Sequence, residues 1–336
     1  MRRCNLFWFF LIMVLVLMGM PGPGGLMPAW AAEEKAPPAV QEGNGGEKAE
    51  AKEEKKEEEC PATFGPIITD TAVPIDKGKF ALQPTFGLAF ITHNFSPSWR
   101  RISPGGSFRS FGMDWKFTYG LWDNLEAFVV LPFVYNWAGG VVASGPRGER
   151  SASFTGLGDV NLTLKYRLVE ESAALPTVTA LFATDFPTGR YRRLNPGLLG
   201  VDEVGGGAYV FTTGLNMSKY IKPFIFYGNL WYSLGTAFRN DEGRQYPRDF
   251  VTVNLAAELP LTGKWVALLE LTSFWDGGRL FGHKANVAPA ALMSILPGIE
   301  YMATDKFSLA FGVNIDLIGK NGEAAVTPLL SMVYCF

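Results

Sequence analysis

The chain ends in the stretch Thr327-Pro-Leu-Leu-Ser-Met-Val-Tyr-Cys-Phe336, in which two kinds of side chain alternate. Successive side chains of a β-strand point to opposite faces, so every second residue shares a face. One face of this segment carries four large apolar side chains, Leu330, Met332, Tyr334 and Phe336. The opposite face is smaller and more mixed. The pattern predicts a strand with one strongly apolar side that ends on an aromatic residue.

A strand of this kind resembles the closing strand of bacterial outer-membrane β-barrels. The resemblance implies that Leu330, Met332, Tyr334 and Phe336 form the barrel-closing seam and the signal that the barrel assembly machinery binds. Strands at the edge of soluble sheets also alternate, so the end of the chain leaves both classes open. The rest of the sequence has to distinguish them.

The N-terminus predicts export from the cytoplasm. Arg2 and Arg3 form a basic start, an apolar run of 15 residues follows at Leu6–Met20, and Ala29-Trp30-Ala31 has the spacing of a cleavage site. Residues 1–31 therefore have the organisation of a secretory signal peptide. The apolar run is also shorter than the roughly 20 residues that a membrane-spanning helix needs.

The next segment, residues 32–63, differs in composition from everything that follows it. As far as Cys60 it reads AEEKAPPAVQEGNGGEKAEAKEEKKEEEC, in which Glu and Lys dominate and Pro and Gly interrupt any periodic pattern. Such a segment has no apolar face to bury, and we predict a disordered, acidic and Lys-rich periplasmic tail. The domain that folds is then residues 64–336.

From residue 79 onward the sequence divides into alternating segments separated by turn residues. No later segment is an uninterrupted apolar run of helical length. An exported chain of this kind spans a membrane only as a closed barrel, because lipid cannot satisfy an open sheet edge. We predict an all-β, antiparallel, up-and-down transmembrane barrel of about 12 strands. The predicted strands are 79–92, 108–121, 124–137, 156–168, 175–187, 205–218, 222–235, 249–260, 263–276, 287–302, 305–318 and 326–336.

The connections predict the orientation of the barrel. Those after the even-numbered strands are short, whereas those after the first, third, fifth, seventh and ninth strands run to ten residues or more. Single-chain outer-membrane barrels have short periplasmic turns and long extracellular loops. We therefore expect the protein in the bacterial outer membrane, surrounded by its lipid, with both termini in the periplasm.

Alternation within the strands predicts which face meets lipid. In the fourth strand, Lys165 and Arg167 share one face and the opposite face is rich in leucine. A soluble barrel would have to pack the charged face into its core, at a high desolvation cost. An apolar exterior around a polar lumen fits the pattern instead. Aromatic residues also cluster near both ends of the predicted strands, as in the girdles of membrane barrels.

The same alternation predicts ten charged side chains in the lumen, seven of them acidic. A hydrated path through this excess of acid would mildly favour cations and neutral solutes over anions. The alternative is that the charges pair with one another and fill a closed interior. The second, third and fourth predicted strands are adjacent in an up-and-down barrel. Four of the charged side chains on these strands are therefore predicted to form one network: Asp114, Glu126, Lys165 and Arg167. The full set is Asp114, Lys116, Glu126, Lys165, Arg167, Asp185, Glu258, Glu270, Glu300 and Asp316.

The predicted outer loops are rich in arginine, most densely at Arg190, Arg192 and Arg193. Guanidinium groups match phosphate geometry bidentately, so these three side chains are expected to contact lipopolysaccharide. Ordinary solubility of the loops is the alternative interpretation.

Two cysteines remain after signal cleavage, Cys60 and Cys335. The periplasm is oxidising and would permit a disulfide between them. Two unpaired thiols are the alternative, because the sequence does not place Cys60 within the short distance that a disulfide requires.

The sequence gives little basis for enzymatic or cofactor chemistry. His93 and His283 are its only histidines, and neither lies in a spacing typical of the hydrolase triad that an outer-membrane lipase would use. Glycine-rich pieces at 156–159 and 204–207 lack the context of a nucleotide site. No Cys/His cluster indicates a metal. We expect no catalytic residue, cofactor, metal or nucleic-acid partner.

Three stretches resemble one family. They are FGPIITDTAVPIDKGKFAL at 64–82, GLGDVNLTLKYRL at 156–168 and LPTVTALFATDFPTG at 175–189. The family is the outer-membrane transporter group linked to the meta-pathway of phenol degradation, and the resemblance covers roughly residues 64–336. It implies a β-barrel for uptake of small, often aromatic or hydrophobic compounds, and it supplies no ligand residues.

The leading functional hypothesis is therefore a passive outer-membrane channel or transporter for small molecules. A structural or anchoring barrel with a closed lumen is the alternative from another class. A lipase-like enzyme is a third and weaker possibility. The substrate stays open at this stage.

Overall fold

The computed structural model describes residues 63–142, 149–281 and 284–336. The predicted signal peptide and all of the predicted tail except Thr63 lie outside these ranges. Within them, no helix is long and apolar enough to cross a membrane.

Twelve long strands form one closed antiparallel barrel, as the sequence predicted. Each strand pairs with its neighbours along the chain, which is the up-and-down order. The strands are β1 (Phe80–Phe95), β2 (Ser107–Trp122), β3 (Leu125–Val142), β4 (Val160–Val169), β5 (Thr177–Phe186), β6 (Val210–Ile221), β7 (Phe224–Gly235), β8 (Phe250–Pro260), β9 (Trp265–Asp276), β10 (Ala290–Thr304), β11 (Phe307–Lys320) and β12 (Gly322–Cys335).

The barrel closes where β12 pairs with β1. Leu82 lies opposite Tyr334 and Phe86 lies opposite Leu330 in this ladder. The backbone N–H of Phe336 donates to the carbonyl of Phe80 at 2.8 Å, and the two rings lie 5.3 Å apart. This seam removes the last free sheet edge, which a membrane-spanning sheet has to do.

Short turns and long loops alternate around the barrel. The connections 123–124, 170–176, 222–223, 261–264 and 305–306 define its short-turn end. Those at 96–106, 143–159, 187–209, 236–249 and 277–289 define its long-loop end. One connection at the long-loop end is shorter than predicted, because β12 begins at Gly322 and only Asn321 separates it from β11. Asn321 has a φ of 52°, and asparagine tolerates this left-handed region better than most residues.

Four of the predicted loops contain strands of their own, the shortest of which, Arg101–Ile102, pairs with the end of β1. Phe238–Asn240, Gly243–Pro247, Arg279–Phe281 and Lys284–Val287 form a separate four-stranded sheet at the long-loop end. A further strand, Glu149–Leu157, pairs with the far half of β3 before the chain continues into β4. Apart from Glu149–Leu157, these segments are shorter than the roughly 9–11 residues from which the spanning strands were predicted.

Burial in this barrel is reversed relative to a soluble protein. Lys165, Glu258 and Glu270 are fully buried, at 0% exposure. Leu164 and Leu168, which alternate with Lys165 on β4, are 41% and 55% exposed. Apolar side chains cover the outside and polar side chains face the lumen, which is the arrangement of a membrane-spanning barrel.

Candidate functional site: the barrel lumen and its plug segment

The lumen contains the chain that precedes β1. Residues 63–76, named here the plug segment, donate and accept hydrogen bonds with inward side chains of β3, β4, β5, β6, β7, β9 and β10. The segment forms no strand of its own, so its backbone groups need side-chain partners once they are taken out of water. The polar lumen supplies those partners, and the barrel is therefore not an empty tube.

Glu270 on β9 binds the middle of the plug segment. Its carboxylate accepts backbone N–H groups from three consecutive residues, Ile67 at 2.8 Å, Ile68 at 3.1 and 3.2 Å, and Thr69 at 2.6 Å. Hydrogen bonds to an ionised carboxylate are stronger than neutral ones. Ile67 also packs into a small apolar cluster with Leu268 and Leu296. The plug segment is thus held by both hydrogen bonds and apolar packing at this point.

Two further buried carboxylates lie near Glu270 on neighbouring strands. Glu300 on β10 accepts the Thr63 hydroxyl at 2.8 Å and the Phe64 N–H at 3.4 Å. Glu258 on β8 accepts the Tyr227 hydroxyl at 2.8 Å. Among the residues that the structure describes, none of the three carboxylates has a lysine or arginine partner. They act as hydrogen-bond acceptors rather than as members of ion pairs.

Asp70 is the charged centre of the plug segment. Its carboxylate lies 3.0 Å from Lys165 Nζ and 3.4 Å from Lys116 Nζ, and it accepts the Asn216 side-chain amide at 2.8 Å. Burial alone would raise the pKa of Asp70, but the two ammonium groups outweigh it and hold that pKa below its ordinary value. Asp70 is therefore a buried, ionised anchor.

Lys165 connects this anchor to the barrel wall. It is fully buried and also lies 2.9 Å from Glu126 on β3, and it donates to the Thr71 carbonyl at 2.7 Å. The sequence placed Glu126 and Lys165 in one charge network, and the structure brings them together. Asp114 and Arg167, expected in the same network, make no ion pair with Glu126 or Lys165.

The plug segment leaves the lumen along a close backbone contact with β2. Ile75 N–H donates to Glu126 at 2.7 Å, and the Gly78 N–H then donates to the Gly120 carbonyl at 2.8 Å. A Cβ at Gly120 would lie 2.0 Å from the Asp76 carbonyl oxygen. Only glycine permits this approach, so Gly120 positions the segment as it turns into β1.

A cavity of about 620 Å³ lies within the barrel against the plug segment. Plug residues 64–71 form part of its wall, and inward side chains of β1 to β8 and β12 form the rest. Four aromatic side chains line it, Phe64 from the plug segment and Phe128, Trp231 and Phe250 from the barrel, together with four charged ones, Asp70, Asp114, Lys116 and Asp185. Besides its contact with Asp70, the Lys116 Nζ lies 4.2 Å from the Phe128 ring centroid.

The loop 187–209 reaches toward the lumen at the long-loop end. The Val201 carbonyl accepts the Asn136 side-chain amide of β3 at 3.1 Å. The buried Asp202 accepts the Asn195 N–H at 2.9 Å and lies 3.1 Å from the Arg190 guanidinium. Arg190, expected to contact lipopolysaccharide, is thus used within its own loop. Arg192 and Arg193 are exposed.

The remaining residues singled out from the sequence lie away from the plug segment. Arg167 lies near the short-turn end, 3.8 Å from Glu170. Asp316 accepts the Ser294 hydroxyl at 2.6 Å and the Ala325 N–H at 2.8 Å. Cys335 makes no disulfide within the described residues, and Cys60 lies outside them, so their pairing stays a prediction. The described residues contain no group of three or more His, Cys, Asp or Glu side chains able to hold a metal.

The sequence left open whether the residues before the first strand plug the lumen, and it did not indicate their partners Asn216 and Asn229. The amide of Asn229 donates to the Asp70 carbonyl at 2.8 Å, and its oxygen accepts the Asp70 N–H at 2.9 Å. One signal was present, an isolated acid at Asp70 within the otherwise uncharged stretch 64–75.

The closed barrel with an apolar outside and a polar lumen is the fold of bacterial outer-membrane channels. No family model and no curated protein sequence matches the chain. Its structure is similar to that of the COG4313 outer membrane channel from Pseudomonas putida F1, with a TM-score of 0.65, 16% identity, and coverage of 81% of this chain and 100% of that one.

Two other outer-membrane barrels are similar at lower TM-scores. The translocator domain of the autotransporter NalP from Neisseria meningitidis matches with a TM-score of 0.45 and 12% identity, over 77% of this chain and 89% of that one. The toluene transporter TbuX from Ralstonia pickettii matches with a TM-score of 0.40 and 9% identity, over 78% and 90%. All three identities are low, so the comparisons concern the fold.

Proposed function

We propose that this protein is a passive outer-membrane channel for small molecules, in which the plug segment controls passage through the lumen. The observation that carries the proposal is the cavity of about 620 Å³ within the barrel, bounded on one side by the plug segment. Ligand cavities in proteins have volumes of roughly 300–1,000 Å³. The plug segment is held by hydrogen bonds, ion pairs and packing, all of which can be exchanged without breaking a covalent bond.

Small aromatic or hydrophobic compounds are the proposed solutes. Phe128, Trp231 and Phe250 supply apolar faces inside the cavity. The stretches 64–82, 156–168 and 175–189, with their resemblance to the transporter family linked to the meta-pathway of phenol degradation, support the same class of solute.

The proposed orientation has both termini in the periplasm. The plug segment enters from the short-turn end, at which β12 also finishes. Single-chain outer-membrane barrels keep their short turns in the periplasm. In this orientation the exposed Arg192 and Arg193 would face lipopolysaccharide, and the C-terminal seam would face the barrel assembly machinery. Undiminished co-purification of lipopolysaccharide with an Arg192→Ala/Arg193→Ala variant would contradict the first of these contacts.

A closed structural barrel is the second candidate, and the same plug segment favours it. Swelling of liposomes separates the two functions. Liposomes that contain the folded protein should swell in small neutral solutes of increasing size, with a cut-off set by the lumen. Vesicles that stay tight, both with the natural protein and with a variant that lacks residues 63–76, would support the structural barrel instead.

A further inference from the structure

Acidic side chains outnumber basic ones in the lining of the lumen cavity, which also contains aromatic rings. Asp70 is matched by Lys116 and Lys165, so this acid and both bases are already engaged. Asp185 receives only the Asn161 side-chain amide, at 2.7 Å. Asp114 makes no hydrogen bond or ion pair within the described part of the chain. Two carboxylates therefore face the cavity without a cation.

Strand pairing relates the two carboxylates through one run of ladder partners. Lys116, Val130, Asn161 and Asp185 follow one another across β2 to β5 in the ladder. Asp114 is two residues from Lys116 on β2 and is the next inward position toward the long-loop end. Asp114 and Asp185 thus lie on separate parts of the same wall, three strands apart, so a small solute meets one of them at a time.

The aromatic rings complete a recognition site of a particular chemistry. Phe128, Trp231 and Phe250 face the cavity with Asp114 and Asp185. An organic cation is attracted both to a carboxylate and to the face of an aromatic ring, and both attractions strengthen where water is partly excluded. A neutral hydrocarbon would leave the carboxylates unpaired, and an organic anion would be repelled by them.

We propose that the lumen cavity binds small organic cations, namely an ammonium group on a flat apolar body, through Asp114 and Asp185 and the surrounding rings. The inference rests on the proposed function of the lumen as a solute path, and it adds the charge of the preferred solute. Neither carboxylate is needed to hold the plug segment, whose contacts run through Asp70, Glu126, Glu270 and Glu300.

The test measures binding separately from transport. Three probes of similar size, 4-fluorobenzylammonium, 4-fluorobenzyl alcohol and 4-fluorobenzoate, are titrated against the full chain in detergent, and binding is followed by the ¹⁹F linewidth with empty micelles as background. We expect the ammonium to bind most tightly. An Asp114→Asn/Asp185→Asn variant should bind it about tenfold more weakly or worse, since a charge-assisted contact is lost, and should bind the alcohol as before.

Asp123→Asn is the matched control, because Asp123 lies in the β2–β3 turn outside the cavity. It should bind all three probes like the natural protein. Retained binding of the alcohol reports that the cavity of the double variant is intact. Equal affinity of the natural protein for the three probes, or undiminished ammonium binding by the double variant, would overturn the inference.

Flux of the same probes into liposomes distinguishes this inference from the proposed function. Ammonium binding without any flux supports the cation site and contradicts the channel. Flux of the alcohol without preferential ammonium binding supports the channel and contradicts the cation site.

Discussion

The Nζ atom of Lys165 lies 3.0 Å from a carboxylate oxygen of Asp70, and this ion pair joins the plug segment to the wall of the barrel. Lys165 comes from β4 and is fully buried, and Asp70 comes from a segment with no strand of its own. Breaking a buried pair by removing one partner costs more than the pair itself contributes, because the other charge is left uncompensated.

Replacing Lys165 with methionine should therefore loosen the plug segment. The change leaves both Asp70 and Glu126 without their closest cation, at a local cost of about 3–5 kcal/mol. We expect solute flux into liposomes to rise several-fold. Lys264→Met, in the exposed β8–β9 turn, is the control and should leave flux unchanged. Flux that stays the same in the Lys165→Met protein, once folding is verified, would show that the pair does not hold the path closed.

Acid should release the plug segment through Asp70. Because the pKa of Asp70 is lowered in the folded protein, its ionised form stabilises the plug at pH values above about 4, its ordinary range. That contribution is lost as the pH falls through the lowered folded-state pKa. Conductance measured while the pH is lowered from 7 should rise below about 4. The Asp70→Asn protein should lack this rise in conductance. An identical rise in that variant would show that another group titrates.

Gly120 offers a test of the plug geometry that changes no charge. A Cβ in Gly120→Ala would lie 2.0 Å from the Asp76 carbonyl oxygen, so the plug segment or β2 has to move. Backbone amides of residues 67–75 should then exchange their hydrogens faster. Gly112→Ala is a matched control on the same strand, because its Cβ would meet nothing within 4 Å. Equal exchange in the two variants would contradict the observed exit path.

The C-terminal residue should matter for assembly before it matters for transport. The Phe336 N–H donates to the Phe80 carbonyl at 2.8 Å and the two rings lie 5.3 Å apart, which closes the seam between β12 and β1. Deleting Phe336 should lower the amount of folded barrel in the outer membrane, measured by heat-modifiable mobility in gels. Normal insertion combined with altered flux would instead place Phe336 in the solute path.

The barrel itself could be predicted because its evidence is local. The alternation of Lys165 with Leu164 and Leu168, and the contrast of short turns with long loops, follow from strand geometry over a few residues. The pairing of Glu126 with Lys165 could also be predicted, because their strands are neighbours in the barrel. Side-chain direction and strand order were sufficient for these conclusions.

The plug segment could not be predicted in the same way. Its contacts join residues far apart in sequence, such as Ile67 with Glu270 and Asp70 with Asn216. The segment has no period that indicates which wall it faces. The ion pair between Arg190 and Asp202 was not predicted for the same reason, because it depends on the path of a long loop. An arginine-rich stretch indicates charge but not the partner that meets it.

If the lumen is a solute path closed by residues 63–76, removing these residues should open it, and single-channel conductance in planar bilayers measures this. The full chain and a variant that lacks residues 63–76 are compared, with folding of both verified by heat-modifiable mobility. We predict small or infrequent openings for the full chain and a steady, several-fold larger conductance for the variant. A variant that folds, inserts and conducts no more than the full chain would contradict the account.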